Sequence, residues 1–154
     1  MAAPTVFVSS TYFNLAQIRE VLARFLEGIG YNPILAERGD FPVDPSAEPF
    51  DNCRDVVRTV ADIFVLIVGR RHGSTDARTG KSITNLEYLE ACAKGIPIYI
   101  FLEKIVDAQY DIWKANRNTE LTIPGIDSAS LFSFIDELNH LIIGYFDLNQ
   151  QKRS

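Results

Sequence analysis

Polar side chains that could bind or act on a ligand fall mainly in two stretches of the chain. Ser9–Phe13 carries hydroxyl groups followed by aromatic rings, and Gly69–Glu87 contains two adjacent arginines and ends in a glutamate. Arginines can clamp phosphate groups, hydroxyls can hold polar ligand atoms, and a carboxylate can stabilise a developing positive charge. The candidate residues are Ser9, Ser10, Thr11, Tyr12, Phe13, Asp40, Arg70, Arg71, His72, Ser82, Thr84 and Glu87.

Glu87 is the most informative candidate because of the helix on which it lies. The broad apolar face predicted for this helix consists of Leu86, Leu89, Cys92 and Ala93. A narrow polar stripe holds Glu87, Glu90 and Lys94, so we expect the helix to pack deep within the domain. Glu90 precedes Lys94 by four residues, the orientation that favours a surface ion pair. Glu87 has no such partner on its helix, which makes it the candidate to face a ligand.

Each candidate also has a purely structural explanation. Thr84 and Glu87 have the spacing of a capping box, in which the glutamate bonds to the first backbone amide of its own helix. The hydroxyls of Ser9–Thr11 could satisfy turn amides, and arginines in loops are commonly solvated. The sequence leaves the structural and the functional explanations open.

Several kinds of site are disfavoured by motifs that the sequence lacks. There is neither a GxGxxG nor a P-loop, which argues against a Rossmann cofactor site and an NTPase site. Neither His72 nor His140 accompanies a GxSxG nucleophile elbow. His72 also has no second ligand at metal-binding spacing. We therefore expect no metal and no resident cofactor.

The elements that must position these residues alternate along the chain. The predicted strands are Thr5–Val8, Pro33–Ala36, Ile63–Val68, Ile98–Leu102 and Leu121–Ile123. The predicted helices run from an Asn14 N-cap to Gly28, from Pro49 to Thr59, through Glu87, from Val106 to Asn116, and from Leu131 to Ile142. The third and fourth strands are apolar without alternation, which is typical of strands buried on both faces of a parallel sheet. Proline in the second strand favours an edge position.

This alternation predicts an α/β fold with right-handed crossovers. Five strands favour a flavodoxin-like parallel sheet of order 2-1-3-4-5, with helices on both faces. The winding reverses between the first and third strands, and ligands in such sheets bind at the carboxyl ends of the strands at that reversal. Ser9–Phe13, Gly69–Ser82 and the helix turn carrying Glu87 are therefore expected to converge there.

Composition limits the classes of partner. The net charge of −5 argues against nucleic-acid binding and anionic membranes, since both require a positive field. No apolar run approaches the roughly 20 residues of a membrane span, and no targeting segment is recognisable. The two cysteines, Cys53 and Cys92, are expected to be buried reduced thiols in a cytoplasmic protein.

The length and the 47% hydrophobic content predict one domain over residues 1–148, followed by a polar tail over residues 149–154. No internal repeat and no long linker divides the chain.

Four segments together resemble a known family. VFVSSTYFNL, GYNPILAERGDFP, DIFVLIVGRRHGS and KSITNLEYLEACAKGIPIYIF are similar to a TIR-like family of unknown function, in order from about residue 5 to residue 145. Members of that family often stand at the N-terminus of larger signalling or defence proteins. The fold is similar to those of TIR domains and nucleoside 2-deoxyribosyltransferases.

The resemblance implies a role for Glu87, which matches the glutamate that acts on the ribose of a nucleotide or nucleoside in both relatives. Ser9–Phe13 match the loop that helps hold base and sugar in the transferases. On this basis Tyr12 or Phe13 is expected to stack on a base, and Arg70 or Arg71 to meet a diphosphate. Asn85 and Leu86 stand where TIR enzymes commonly have a Trp-Cys pair.

Three functions follow as hypotheses. The first is hydrolysis of the N-glycosidic bond of NAD, with NAD as substrate and Glu87 as the catalytic residue. The second is a non-enzymatic module that self-associates or binds a nucleotide signal, with the Phe41–Pro49 loop as an interface. The third is base exchange on deoxynucleosides. In each case the expected partners are a nucleotide or nucleoside, further copies of the chain, and a larger signalling protein.

Overall fold

A computed structural model describes residues 3–11, 15–35, 49–70, 78–116, 128–138 and 142–146. The strands are β1 (Thr5–Ser10), β2 (Asn32–Ile34), β3 (Ile63–Val68), β4 (Ile98–Glu103) and β5 (Ile142–Phe146). The helices are α1 (Ala16–Gly28), α2 (Pro49–Val60), α3 (Ile83–Lys94), α4 (Lys104–Ala115) and α5 (Ser128–Glu137).

The strands form one parallel sheet in the order β2-β1-β3-β4-β5, which confirms the predicted flavodoxin-like topology. β2 lies at an edge, as its proline indicated. β1 pairs with both β2 and β3, and Ser9 and Ser10 lie opposite Leu66 and Ile67 of β3. The carboxyl end of β1 is therefore the point at which the winding reverses.

The two faces of the sheet are covered unequally. Phe7 of β1 and Phe64, Leu66 and Val68 of β3 pack in one apolar cluster with side chains from α2, α3, α4 and α5. On the opposite face, the buried cluster of Val6, Val8, Val65 and Ile67 includes helical residues from α1 alone among the described elements. Helices thus lie on both faces, but four lie on one and one on the other.

The fifth strand was predicted in the wrong place. β5 is Ile142–Phe146, and the last described helix ends at Glu137 rather than at Ile142. The sequence IIGYF is rich in β-branched and aromatic residues, as strands are. The apolar residues before it have helical spacing, and this spacing continues to Ile142, so the pattern predicts a helix that is too long. The segment first predicted as a strand, Leu121–Ile123, lies outside the described residues.

The ends of the first strand and the first helix also differ from the prediction. β1 continues through Ser9 and Ser10, which were assigned to a loop, because these residues pair in register with β3. α1 begins at Ala16 with Leu15 at the N-cap position and without a side-chain capping bond. The predicted N-cap, Asn14, lies outside the described residues.

The buried face of α3 is not the one predicted. Leu89 is 40% exposed, and Cys92 and Ala93 are exposed as well. The buried residues are Thr84, Asn85, Leu86, Glu87, Tyr88 and Ala91. The helix turns its polar first turns inward because they meet polar groups at the end of β1. Both cysteines are free thiols, but Cys53 is half-buried and Cys92 is exposed, so the expectation of two buried thiols was wrong.

No helix in the described part of the chain is both long and apolar enough to cross a membrane.

Gly144 of β5 provides a test of the sheet packing. A β-carbon at this position would lie 2.9 Å from Cδ1 of Phe101 on β4, so the ring would have to shift. We expect Gly144→Ala to lower the free energy of unfolding by about 1–2 kcal/mol, measured by urea denaturation. Gly28→Ala is the control, because nothing lies within 4 Å of its added carbon in α1. That change should leave stability equal or slightly raised, and equal losses in both variants would contradict the packing argument.

Candidate functional site

The first turn of α3 is fixed by Ser82. This residue is the N-cap in an extended conformation, and its hydroxyl accepts a hydrogen bond of 3.0 Å from the Asn85 amide. The capping box proposed for Thr84 and Glu87 is therefore wrong, since the cap lies two residues earlier. Thr84 instead donates its hydroxyl to the Ser10 carbonyl at 2.8 Å. Ser82 starts the helix and Thr84 attaches it to the end of β1.

Glu87 lies on the next turn and points to the same strand. The Ser9 hydroxyl donates a hydrogen bond of 2.7 Å to Oε1 of Glu87, and the two residues are only 2% and 6% exposed. The Cys53 thiol of α2 lies close enough to this carboxyl group for each to shift the pKa of the other. The carboxyl group thus sits where β1, α2 and α3 meet, at the reversal point of the sheet.

Burial changes the acidity of both Glu87 and Cys53. Loss of solvation raises the pKa of Glu87 from 4.5 to about 7, and the hydrogen bond from Ser9, the positive charge of Arg19 and the hydrogen bond from Cys53 oppose this rise. Burial also raises the pKa of the Cys53 thiol to about 12, and the neighbouring Glu87 charge adds to the effect. Near neutral pH, both protonation states of Glu87 are therefore populated, while the Cys53 thiol stays neutral.

Arg19 of α1 is a residue of the site that the sequence analysis missed. It is 8% exposed, and its guanidinium donates to the Ser10 hydroxyl at 2.9 Å and to the Val8 carbonyl at 3.3 Å. Arg19 lies four residues from both Leu15 and Ala23, on the buried stripe of α1. A cation on that apolar stripe is the sequence pattern that could have predicted its burial. The positive charge of Arg19 lowers the pKa of Glu87, although the two residues lie on opposite sides of the end of β1.

Thr11 links the ends of the two central strands. Its amide donates to the Ile67 carbonyl at 3.1 Å, and its hydroxyl accepts a hydrogen bond of 2.9 Å from the Gly69 amide. Thr11 is 3% exposed. In this structure its hydroxyl holds the end of β3 in place.

Arg70 is bound by an acidic side chain that the sequence analysis did not select. Its guanidinium lies 2.6 Å from Oε2 of Glu103, and its backbone amide donates to the same carboxylate at 3.2 Å. Glu103 ends β4 and is only 1% exposed. This pair of a half-buried arginine and a buried glutamate attaches the residue after β3 to the neighbouring strand. The remaining predicted site residues, Tyr12, Phe13 and Arg71, lie outside the described residues, as do Asp40 and His72.

Glu90 and Lys94 do not pair with each other, contrary to the prediction. The Glu90 carboxylate forms an ion pair with the guanidinium of Arg54 on α2 at 3.0 Å. The Lys94 ammonium group donates instead to the carbonyls of Val57 and Ala61 at 3.3 and 2.6 Å. Both residues therefore join α3 to α2. Tertiary partners from α2 replace the local pair because the two helices pack side by side.

The described residues contain no group of acidic, histidine and cysteine side chains that could hold a metal ion. The chemistry available at the site is that of one buried carboxyl group, Glu87, whose pKa lies near 7. Such a group can take up or release a proton, or carry the charge that stabilises a cation.

The family model described as "Domain of unknown function (DUF4062)" matches residues 5–153. The chain belongs to this family. No curated protein and no solved structure matches this chain. The DUF4062 match spans every element of the sheet, from β1 to β5.

The raised pKa of Glu87 predicts a pH-dependent stability for this DUF4062 domain. Because the folded state holds the proton up to about pH 7 and the unfolded state only to about pH 4.5, stability is lost as pH rises between these values. Glu87→Gln lacks this loss. We expect the variant to gain about 2–3 kcal/mol over the wild type between pH 5 and pH 8, measured by urea denaturation. A constant difference between the two proteins would contradict the burial argument.

Removing the Ser9 hydroxyl tests the hydrogen bond directly. Ser9→Ala deletes a donor to the charged form of Glu87, so the pKa of Glu87 should rise further above 7. Carbon-detected NMR titration of the glutamate carboxyl groups measures the change. Thr84→Val is the matched control, because its hydroxyl bonds to a backbone carbonyl and not to Glu87. An equal shift in both variants would assign the effect to general loosening of the site.

Proposed function

We propose that this domain hydrolyses the N-glycosidic bond of NAD in a signalling or defence setting, with Glu87 as the catalytic residue. One observation carries the proposal: a buried carboxyl group, bonded at 2.7 Å to Ser9, lies at the carboxyl end of β1, where the winding of the sheet reverses. In doubly wound sheets this is the position at which ligands bind. The buried polar residues around it, Ser82, Thr84 and Arg19, are held by specific hydrogen bonds.

The resemblance to TIR domains and nucleoside 2-deoxyribosyltransferases supports the same assignment. Glu87 matches the glutamate of both relatives within SITNLEYLEA. Its hydrogen bond to Ser9, at the carboxyl edge of the sheet beside the reversal of winding, supports this assignment. We treat membership of a TIR-like superfamily as part of the proposal.

The proposed reaction requires only one carboxylate. The bond between the ribose C1′ and the nicotinamide nitrogen breaks, its electron pair stays on that nitrogen, and neutral nicotinamide leaves without needing a proton. The ribose becomes an oxocarbenium-like cation that ionised Glu87 stabilises. Water then adds to C1′ and gives up one proton, for which a carboxylate of pKa about 7 is a suitable acceptor near neutral pH.

The other residues have positioning roles in this scheme. Ser9 orients the Glu87 carboxylate, and Arg19 binds the Ser10 hydroxyl on the opposite side of the same strand end. Arg70, held by Glu103, and Arg71 are the candidates for the diphosphate, and Tyr12 or Phe13 for stacking on the base. Ser10 and Thr11 complete the loop side of the proposed pocket.

Nicotinamide release from NAD by the purified domain tests the proposal. We expect Glu87→Gln to lower kcat at least about 100-fold, because the variant cannot carry the negative charge. Glu90→Gln is the matched control: it makes the same change three residues later, at a carboxylate that bonds to Arg54. That variant should retain activity within a few-fold. Chromatography of nicotinamide and ADP-ribose over a range of protein concentrations gives the rates.

Three results would contradict the proposal. Equal activity in the two variants would remove Glu87 from the catalytic role. Activity on deoxynucleosides but not on NAD would favour base exchange instead. No turnover of either substrate at any protein concentration would leave a non-enzymatic module.

A further inference from the structure

An apolar groove runs beside α1 on the less covered face of the sheet. It consists of two adjoining depressions of about 290 and 310 Å³, which share Leu22, Phe25 and Phe101. α1 forms one wall, and residues of β1, β3, β4 and β5 form the floor. The groove exists because the four other described helices contribute to the opposite cluster, so that α1 alone packs over this face.

The exposed apolar side chains of the domain are concentrated here. Ten large hydrophobic side chains are exposed among the described residues, and five of them line this groove with exposures of 41–62%. They are Val21, Phe25, Ile29, Tyr99 and Ile143. The first three recur every four residues, so they form a raised row along α1 next to the groove. We call this row the α1 ridge.

The exposed area is large enough for an interface. Side chains of these types and exposures present roughly 500 Å² of apolar surface, within the upper range of patches found on monomers. A stable interface buries about 800 Å² on each partner. The patch therefore supplies more than half of that area before any polar rim is counted.

The shape and charge of this face fit a second copy of itself. A two-fold interface pairs each surface patch with the same patch of the other copy, so the patch must be complementary to itself. The α1 ridge and the groove lie side by side on one face, as such a pairing requires. The rim next to the ridge carries Glu20, Arg24 and Glu27, and Glu20 and Arg24 pair at 3.6 Å. Charges of both signs allow two copies to approach despite the net charge of −5.

We propose that two copies of this chain associate through this face, with the α1 ridge of each copy packed into the groove of the other. The interface lies on the α1 face, whereas Ser9, Cys53 and Glu87 belong to the face covered by α2 and α3. Association is therefore independent of the proposed hydrolysis.

Sedimentation of the whole chain tests the association. We expect the wild-type mass to rise from 17.3 kDa toward twice that value between about 1 and 200 µM. Phe25→Glu places a charge at the centre of the ridge and should raise the dissociation constant at least about 100-fold. Since Phe25 is 62% exposed, this change should leave the fold and its melting temperature unaltered.

Ile112→Glu on α4 is the matched control, because Ile112 is 48% exposed on a helix that packs on the opposite face of the sheet. It should dimerise like the wild type. Hydrogen exchange adds a second readout: α1 amides should become more protected with concentration in the wild type and in Ile112→Glu, but not in Phe25→Glu.

The proposal is wrong if the wild type stays monomeric over this range. Strong protection of α1 at every concentration would then indicate that residues 147–154 of the same chain cover the groove. Weak protection at every concentration would indicate a surface for a different protein. Dimers of undiminished affinity in Phe25→Glu would place the interface elsewhere.

Discussion

The hydrogen bond between Ser9 and Glu87 joins three parts of the fold at one buried point. Ser9 lies near the carboxyl end of β1, Glu87 belongs to α3, and Cys53 of α2 lies near enough to the same carboxyl group for each to shift the pKa of the other. An acidic side chain that is only 6% exposed is costly unless it is hydrogen-bonded or protonated. Both conditions are met in part here, because two donors face the carboxyl group and its pKa lies near 7. The first turns of α3 consequently pack inward although they are polar.

The alternation of side chains along β1 divides the site between the two faces of the sheet. Ser9 follows Phe7 on the face covered by α2 and α3, whereas Ser10 follows Val8 on the face of α1 and bonds to Arg19. Two adjacent serines therefore bond to helices on opposite faces of the sheet, Ser9 to α3 and Ser10 to α1. This arrangement links α1 to the carboxyl group through the strand end, and it gives the Arg19 charge an influence on Glu87 from the other face.

The unequal covering of the sheet gives the domain two distinct polar and apolar regions. The carboxyl edge, at the reversal of winding, collects buried polar residues with specific partners, including Glu87 and the Arg70–Glu103 pair. The α1 face collects exposed apolar residues around Phe25 and Phe101. The first region has the composition of a site for a small polar ligand, and the second that of a protein contact. The proposed hydrolysis and the proposed association can thus be tested by separate mutations.

The sequence alone determined the topology and the edge of the sheet at which Ser9 and the helix of Glu87 meet, because both follow from patterns that are local. Continuous apolar runs such as Ile63–Val68 specify buried parallel strands, and the order of such strands fixes where the winding reverses. Only the tertiary structure decided which partner each polar group takes. Glu87 bonds to Ser9, 78 residues away, Glu90 to Arg54, and Arg70 to Glu103. The Ser9 bond replaces the capping contact that spacing suggested for Glu87, and the Arg54 bond replaces the i,i+4 pair suggested for Glu90. A carboxylate removed from water needs a donor, and the nearest donors come from other elements of the fold. The same holds for β5. Its apolar residues are compatible with a longer last helix, and only the pairing with β4 makes them a strand.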